Sequence, residues 1–144
     1  MRVEVANSHR KYAVDEEEVG RVVRGVSRHE KVGLRFVSIV AVGHGWMRKL
    51  NRQFLHRDET TDVLAFSLGD NSEVEGEIYV NLDQARRQAR HYRVPLTNEV
   101  TRLVIHGLLH LIGYRDKKLS ERRVMRAREE ELVRLLDRGK TLRS

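Results

Sequence analysis

The stretch that decides the fold is Thr97-Asn-Glu-Val-Thr-Arg-Leu-Val-Ile-His-Gly-Leu-Leu-His-Leu-Ile-Gly113. Its apolar residues Leu103, Val104, Leu108, Leu109, Leu111 and Ile112 recur at helical spacing but do not keep to one narrow stripe. A helix apolar on most of its circumference must be covered on several sides. The helix is predicted over 97–112, with the Thr97 hydroxyl as its cap and Gly113 ending it in a left-handed turn. Whatever else the chain builds has to wrap this segment.

Working outward, the neighbouring elements supply that cover. Upstream, Asp83 can cap a helix over 83–93, and Pro95, the only proline, breaks the chain between the two helices. Before it, Glu77-Ile-Tyr-Val-Asn-Leu reads as a strand, and Asp62-Val-Leu-Ala-Phe-Ser-Leu as another. The two form a hairpin across an acidic, turn-rich segment at 69–76. A polar loop over 56–61 precedes them. Trp46, Met47, Leu50, Phe54 and Leu55 have helical spacing, and the β-branched run 34–42, LRFVSIVAV, is predicted as the central strand. A helix opens at Asp15, its apolar face made by Val19, Val22, Val23 and Val26, and Val3 and Val5 mark a first strand. Downstream, a charged last helix runs over about 119–138, and residues 139–144 are expected to fray. The sum is an α+β fold, a small mixed sheet with helices packed around it, in a single domain over 1–144.

The chain has 144 residues, 28 Lys and Arg against 21 Asp and Glu, and no cysteine. Thiolate ligands and disulfides are therefore excluded, and any metal must be held by His, Asp or Glu. The net charge of +7 favours a polyanionic partner. No apolar run is long enough to cross a bilayer and the N-terminus does not read as a secretory signal, so no membrane role and a cytoplasmic location are expected.

His106 and His110 lie one helical turn apart on one face, where two imidazoles can converge on one ion. Gly113 turns the chain back, and Asp116 is the first hard-metal ligand beyond it. His-x3-His-x5-Asp with a fourth position open to water is the pattern of catalytic rather than structural zinc. The plainer accounts are histidines paired by chance inside a buried helix, and an ordinary solvated acid beside Lys117 and Lys118 or a cap for the last helix. Gly107 stands where the His-Glu-x-x-His peptidases carry their general base, which argues against peptide hydrolysis; a glycine there lets backbone or substrate come close.

The run His-Gly-Leu-Leu-His-Leu-Ile-Gly-Tyr at 106–114 resembles the signature of the YbeY family of rRNA-maturation endoribonucleases. Leu50-Asn51, then Asp58 and Thr61-Asp-Val-Leu-Ala-Phe66, is similar to a second block of that family, and Gly76-Glu-Ile-Tyr-Val80 to a third. Glu99 also sits where the family usually has Glu. The resemblance implies a sheet of about four strands with the metal site on a long central helix. It implies one zinc ion on His106, His110 and Asp116, and single-strand-specific cleavage of RNA in processing the 3′ end of small-subunit ribosomal RNA and in ribosome quality control. Four positions depart from the pattern: Asp116 stands for His, Arg115 for the Asp before it, Leu55 for a common Arg, and Thr60 for Pro. A carboxylate in place of an imidazole lowers the electrophilicity of the ion and brings in manganese as a second candidate.

For the chemistry, Arg57 is expected to offset charge on the phosphoryl oxygens, with Asp62 and Glu77 as candidate bases or supports for the site. Asp62 has a plainer and slightly favoured account as a cap or brace of the loop before its strand. Glu99 is placed either to orient His106 or as an exposed helix acid. Arg52, Arg57, Arg86, Arg87 and Arg90 are the candidate RNA contacts, the last three interleaved with His91 and Tyr92; a second basic run holds Arg122, Arg123, Arg126 and Arg128. The expected partners are ribosomal RNA and the small subunit, with the protein a monomer. The alternatives are a hydrolase of another phosphoester and a ribosome-associated RNA-binding factor with little catalytic activity.

Overall fold

The computed structural model describes residues 1–69 and 73–143, so the middle of the turn-rich segment expected over 69–76 lies outside the described residues. The chain runs β1 (Arg2–Asn7), α1 (Glu16–Glu30), β2 (Leu34–Val42), α2 (His44–Leu55), β3 (Val63–Ser67), β4 (Val74–Asn81), α3 (Leu82–Tyr92), α4 (Leu96–Ile112) and α5 (Leu119–Leu136). The four strands form one mixed sheet in the order β1-β2-β4-β3, the first two pairings parallel and the β3–β4 hairpin antiparallel. This is the α+β architecture expected from the sequence. Strand β4 shares the middle of the sheet with β2 and starts three residues earlier than predicted.

Alternation along the strands sends Val37, Ile39 and Ala41 of β2 and Ile78 and Val80 of β4 to one face. There they join Val19, Val22, Val23 and Val26 of α1, most of α4, and Met125, Leu132 and Leu136 of α5 in one continuous core. Each such side chain taken from water contributes about 1.5–3 kcal/mol, which is why the all-round apolar helix α4 settles against the sheet. Among the described residues the opposite face is covered by α2, through Met47 and Leu50 against Val40, Val42, Leu64 and Tyr79.

Helix α4 approaches the sheet closely because Gly107 has no side chain: a Cβ there would lie 2.7 Å from Ile78 Cγ2. Of the two close approaches the glycine allowed, by the chain itself or by substrate, the first is the one seen: Gly107 makes room for the protein's own strand. The predicted caps also differ. Asn81, not Asp83, caps α3, accepting from the backbone N–H groups of Asp83 and Gln84. The Asp83 carboxylate is instead taken by His9 at 2.7 Å and the backbone N–H of His44 at 3.0 Å. Pro95 occupies the cap position of α4, and the Thr97 carbonyl accepts from the Thr101 and Thr141 hydroxyls. The tail expected to fray is pinned at that point: Thr141 is buried and Leu142 bridges to Val14.

Candidate metal centre

Gly113 closes α4 with φ 121°, a conformation that favours glycine, and its N–H returns to Leu109 and His110. The turn is anchored by Tyr114, whose hydroxyl donates to Glu30 of α1 at 2.8 Å. The chain then doubles back so that Asp116 Oδ2 lies 3.4 Å from His110 Nε2. His110 Nε2 is in turn 3.1 Å from His106 Nε2. His106, His110 and Asp116 each present one ligand atom, all within 4.8 Å of one another. Two of these separations are close to the edge of about 3.3 Å in a tetrahedron built on bonds of about 2.0–2.1 Å.

Behind the pair stands a residue that no motif singles out. Glu129 of α5, 5% exposed, accepts from His106 Nδ1 at 2.6 Å and from Arg102 at 3.0 Å. A carboxylate so placed fixes the proton on Nδ1 and leaves the Nε2 lone pair facing His110. Arg102 also donates to Glu99 at 2.9 Å, and Glu99 accepts from Gln88 at 2.6 Å. Glu99 is therefore neither exposed nor in contact with His106: it is 1% exposed and acts through Arg102. The only signal for Glu129 was its position in the stripe Met125, Leu132, Leu136, an acid where the helix needs an apolar residue.

The electrostatics follow from this packing. Burial pushes the His110 pKa below its ordinary value, and His106 adds to that, against smaller opposing effects of Asp116 and a hydrogen bond to the Tyr114 backbone. Burial raises the Glu129 carboxyl, but the hydrogen bond and charge of His106, with Arg102, outweigh it and leave the group below its ordinary value. The hydrogen bonds that Arg102 donates to Glu99 hold its guanidinium firmly protonated. Three Lewis bases, two imidazoles and a carboxylate, thus converge, with Glu129 holding the far nitrogen of the first imidazole. That donor set fits a divalent ion of the zinc or manganese type.

The other candidates are not gathered there. Glu77 alternates with Gly76 and Ile78, which face α4, so its side chain points to the opposite side of the sheet, where it accepts from the Tyr79 hydroxyl at 3.4 Å. Asp62 lies at the far end of β4, its carbonyl accepting from Asn81. Arg57 is exposed after α2 and 4.0 Å from Glu59; Arg52 is 2.8 Å from Asp58, which also binds Arg48. Arg87 and Arg90 are exposed on α3 and Arg86 is half-buried. No acid occupies position 107, and that position faces the core, so no base of the peptidase kind could act from it.

The family model described as endoribonuclease YbeY matches residues 4–137 of the chain. An endoribonuclease YbeY of Chlorobium limicola is 38% identical over 130 residues, 90% of each chain. One from Carboxydothermus hydrogenoformans is 35% identical over 137 residues, 92% of this chain and 96% of its own. The solution structure of a Thermotoga maritima protein superposes with a TM-score of 0.66 at 25% identity, covering 93% of this chain and 88% of that one.

Proposed function

Since the chain belongs to the endoribonuclease YbeY family, we propose that it is a metal-dependent nuclease that cuts single-stranded RNA at His106, His110 and Asp116. Its task, in this proposal, is processing of the 3′ end of small-subunit ribosomal RNA and ribosome quality control, carried out by a monomer in the cytoplasm. Among the described residues no helix is long and apolar enough to cross a membrane, in keeping with that setting. The observation that carries the proposal is the convergence of two imidazoles and a carboxylate within 4.8 Å, with Glu129 fixing the proton on the far nitrogen of His106.

When bound, zinc, or manganese as second candidate, supplies Lewis acidity toward a phosphoryl oxygen and lowers the pKa of nearby water. The chain's part is to keep the site ready. Glu129 holds His106 in one tautomer, and burial of His110 favours the neutral imidazole a ligand must be. Asp116, the most exposed of the three, adds negative charge.

The test is cleavage of a single-stranded RNA oligomer, stopped by a chelator and restored by zinc. His110→Ala is expected to lower the rate at least about a hundredfold and to abolish the rise in melting temperature on zinc addition. Asp116→His is expected to keep the activity and shift the preference from manganese toward zinc. Efficient hydrolysis of a small phosphodiester with no action on RNA would replace the substrate. RNA binding without cutting under any divalent ion would overturn the enzymatic role. Accumulation of 3′-extended small-subunit RNA in cells lacking the protein tests the ribosomal assignment.

A further inference from the structure

Two depressions adjoin the metal cluster along the seam between α4 and α5, and they share Arg102, Arg126 and Glu129. They form one groove, with His106 and Asp116 at its near end and Tyr92 and Val94 at its far end. On α4 it spans Asn98 to His106, about 12 Å of helix.

The charges in this groove are divided by position. Asp116 belongs to the cluster, and Glu99 and Glu129 are engaged by Arg102 and His106. What remains near the cluster is positive. Arg122 and Arg126 are exposed one turn apart on α5 and, among the described residues, neither forms an ion pair with an acid. Arg122 donates only to the backbone carbonyls of Asp116 and Lys117, which places its charge beside the ligand loop. The far end differs: Tyr92 is 57% exposed, with the Arg102 guanidinium 6.0 Å from its ring centre, and the exposed Glu130 lies on the rim. A strand with a phosphate near the cluster and an unstacked base farther along matches that order of charge and ring. The arginines of α3, by contrast, line neither depression.

We propose that this α4–α5 groove is the substrate track: a single RNA strand leaves the metal cluster with its phosphates on Arg122 and Arg126 and a base stacked on Tyr92. The assignment rests on the RNA-cleaving role and names the residues that would seat its substrate.

The test is steady-state cleavage of a single-stranded RNA oligomer by the zinc-loaded protein over a range of salt. Arg126→Gln is expected to raise KM about fivefold, and the Arg122→Gln, Arg126→Gln pair about tenfold or more. Each loss should flatten the slope of log KM against log salt by about 0.7. Tyr92→Ala is expected to raise KM about tenfold with the slope unchanged, and Tyr92→Trp to restore it. Zinc content should match the wild type throughout, which separates lost substrate contact from a damaged cluster. Arg24→Gln on α1 controls for net charge. Wild-type KM in the α5 variants, with RNA cleavage intact, overturns the track while the endoribonuclease role stands. Losses confined to Arg87→Gln and Arg90→Gln overturn it in favour of α3. A wild type that does not act on RNA removes both.

Discussion

Two regions of this molecule are built from arginines bridged by acids, and they behave as opposites. Around α4 and α5, Glu99, Arg102, Glu129 and His106 form a chain whose carboxylates are almost wholly buried. Around the α2 loop, Asp58 is gripped by Arg48 and Arg52, with all three side chains more than half exposed. The first cluster cannot exchange its partners for water, so each bond fixes a position that the next residue depends on. The second can, so its bonds are nearly interchangeable with solvation. The same side chains therefore make a precise support for His106 in one place and a solvated surface in the other.

The comparison breaks most easily at Glu129. Glu129→Ala leaves His106 Nδ1 without a buried partner, takes one of its two carboxylates from Arg102, and is expected to cost about 3 kcal/mol. In a thermal melt that is a fall of about 10 °C; a fall of a degree or two would mean the buried chain is no firmer than the exposed one. Glu129→Gln keeps the shape but weakens the hold on the His106 tautomer. Zinc affinity should drop about 10–100-fold by calorimetry while the fold survives, and unchanged affinity would deny Glu129 its role in positioning His106.

The pH dependence sharpens the contrast further. Glu129 has a folded-state pKa below its ordinary 4.5. Its contribution to stability is thus present above pH 4.5 and lost as the pH falls through the lower folded value. Denaturation followed between neutral pH and acid should steepen there, and Glu129→Gln should remove that part of the curve. Asp58 is held at about 2 by its hydrogen bonds to Arg48 and Arg52. Its window lies between its ordinary 3.8 and about 2 and should disappear in high salt. The smallest expected effect is Asp58→Asn at neutral pH, a change in melting temperature within the scatter of replicate melts. A clear drop would show that the α2 loop depends on its ion pairs after all.

The sequence displayed one half of this arrangement and hid the other for a physical reason. His106, His110, Gly113 and Asp116 follow one another along a helix and its turn, so local geometry alone brings them close. Glu129 reaches His106 from 23 residues away, across a packing of α5 on α4 that no local spacing encodes. Its trace was an acid on an apolar stripe. Glu77 misled in the opposite way. Its place in a family-like block put it near the cluster, but strand alternation turns it to the other face once Ile78 and Val80 are seen to pack on α4. Thr141 and Leu142 looked like loose ends because two side chains carry little pattern, and their partners, Thr97 and Val14, lie far back in the chain.

The contact of Gly107 with Ile78 also sets a limit on what this scaffold can become. In the peptidases that share the paired-histidine helix, the residue after the first histidine carries the proton-handling carboxylate. Here that Cα–Cβ direction runs into β4, so mutating the position would unseat the helix before it supplied a base. Lineages descending from this architecture can vary the residue that follows the turn at Asp116 and can redraw the groove along α5. Acquiring the peptidase base at its usual address is closed to them unless the helix first separates from the sheet.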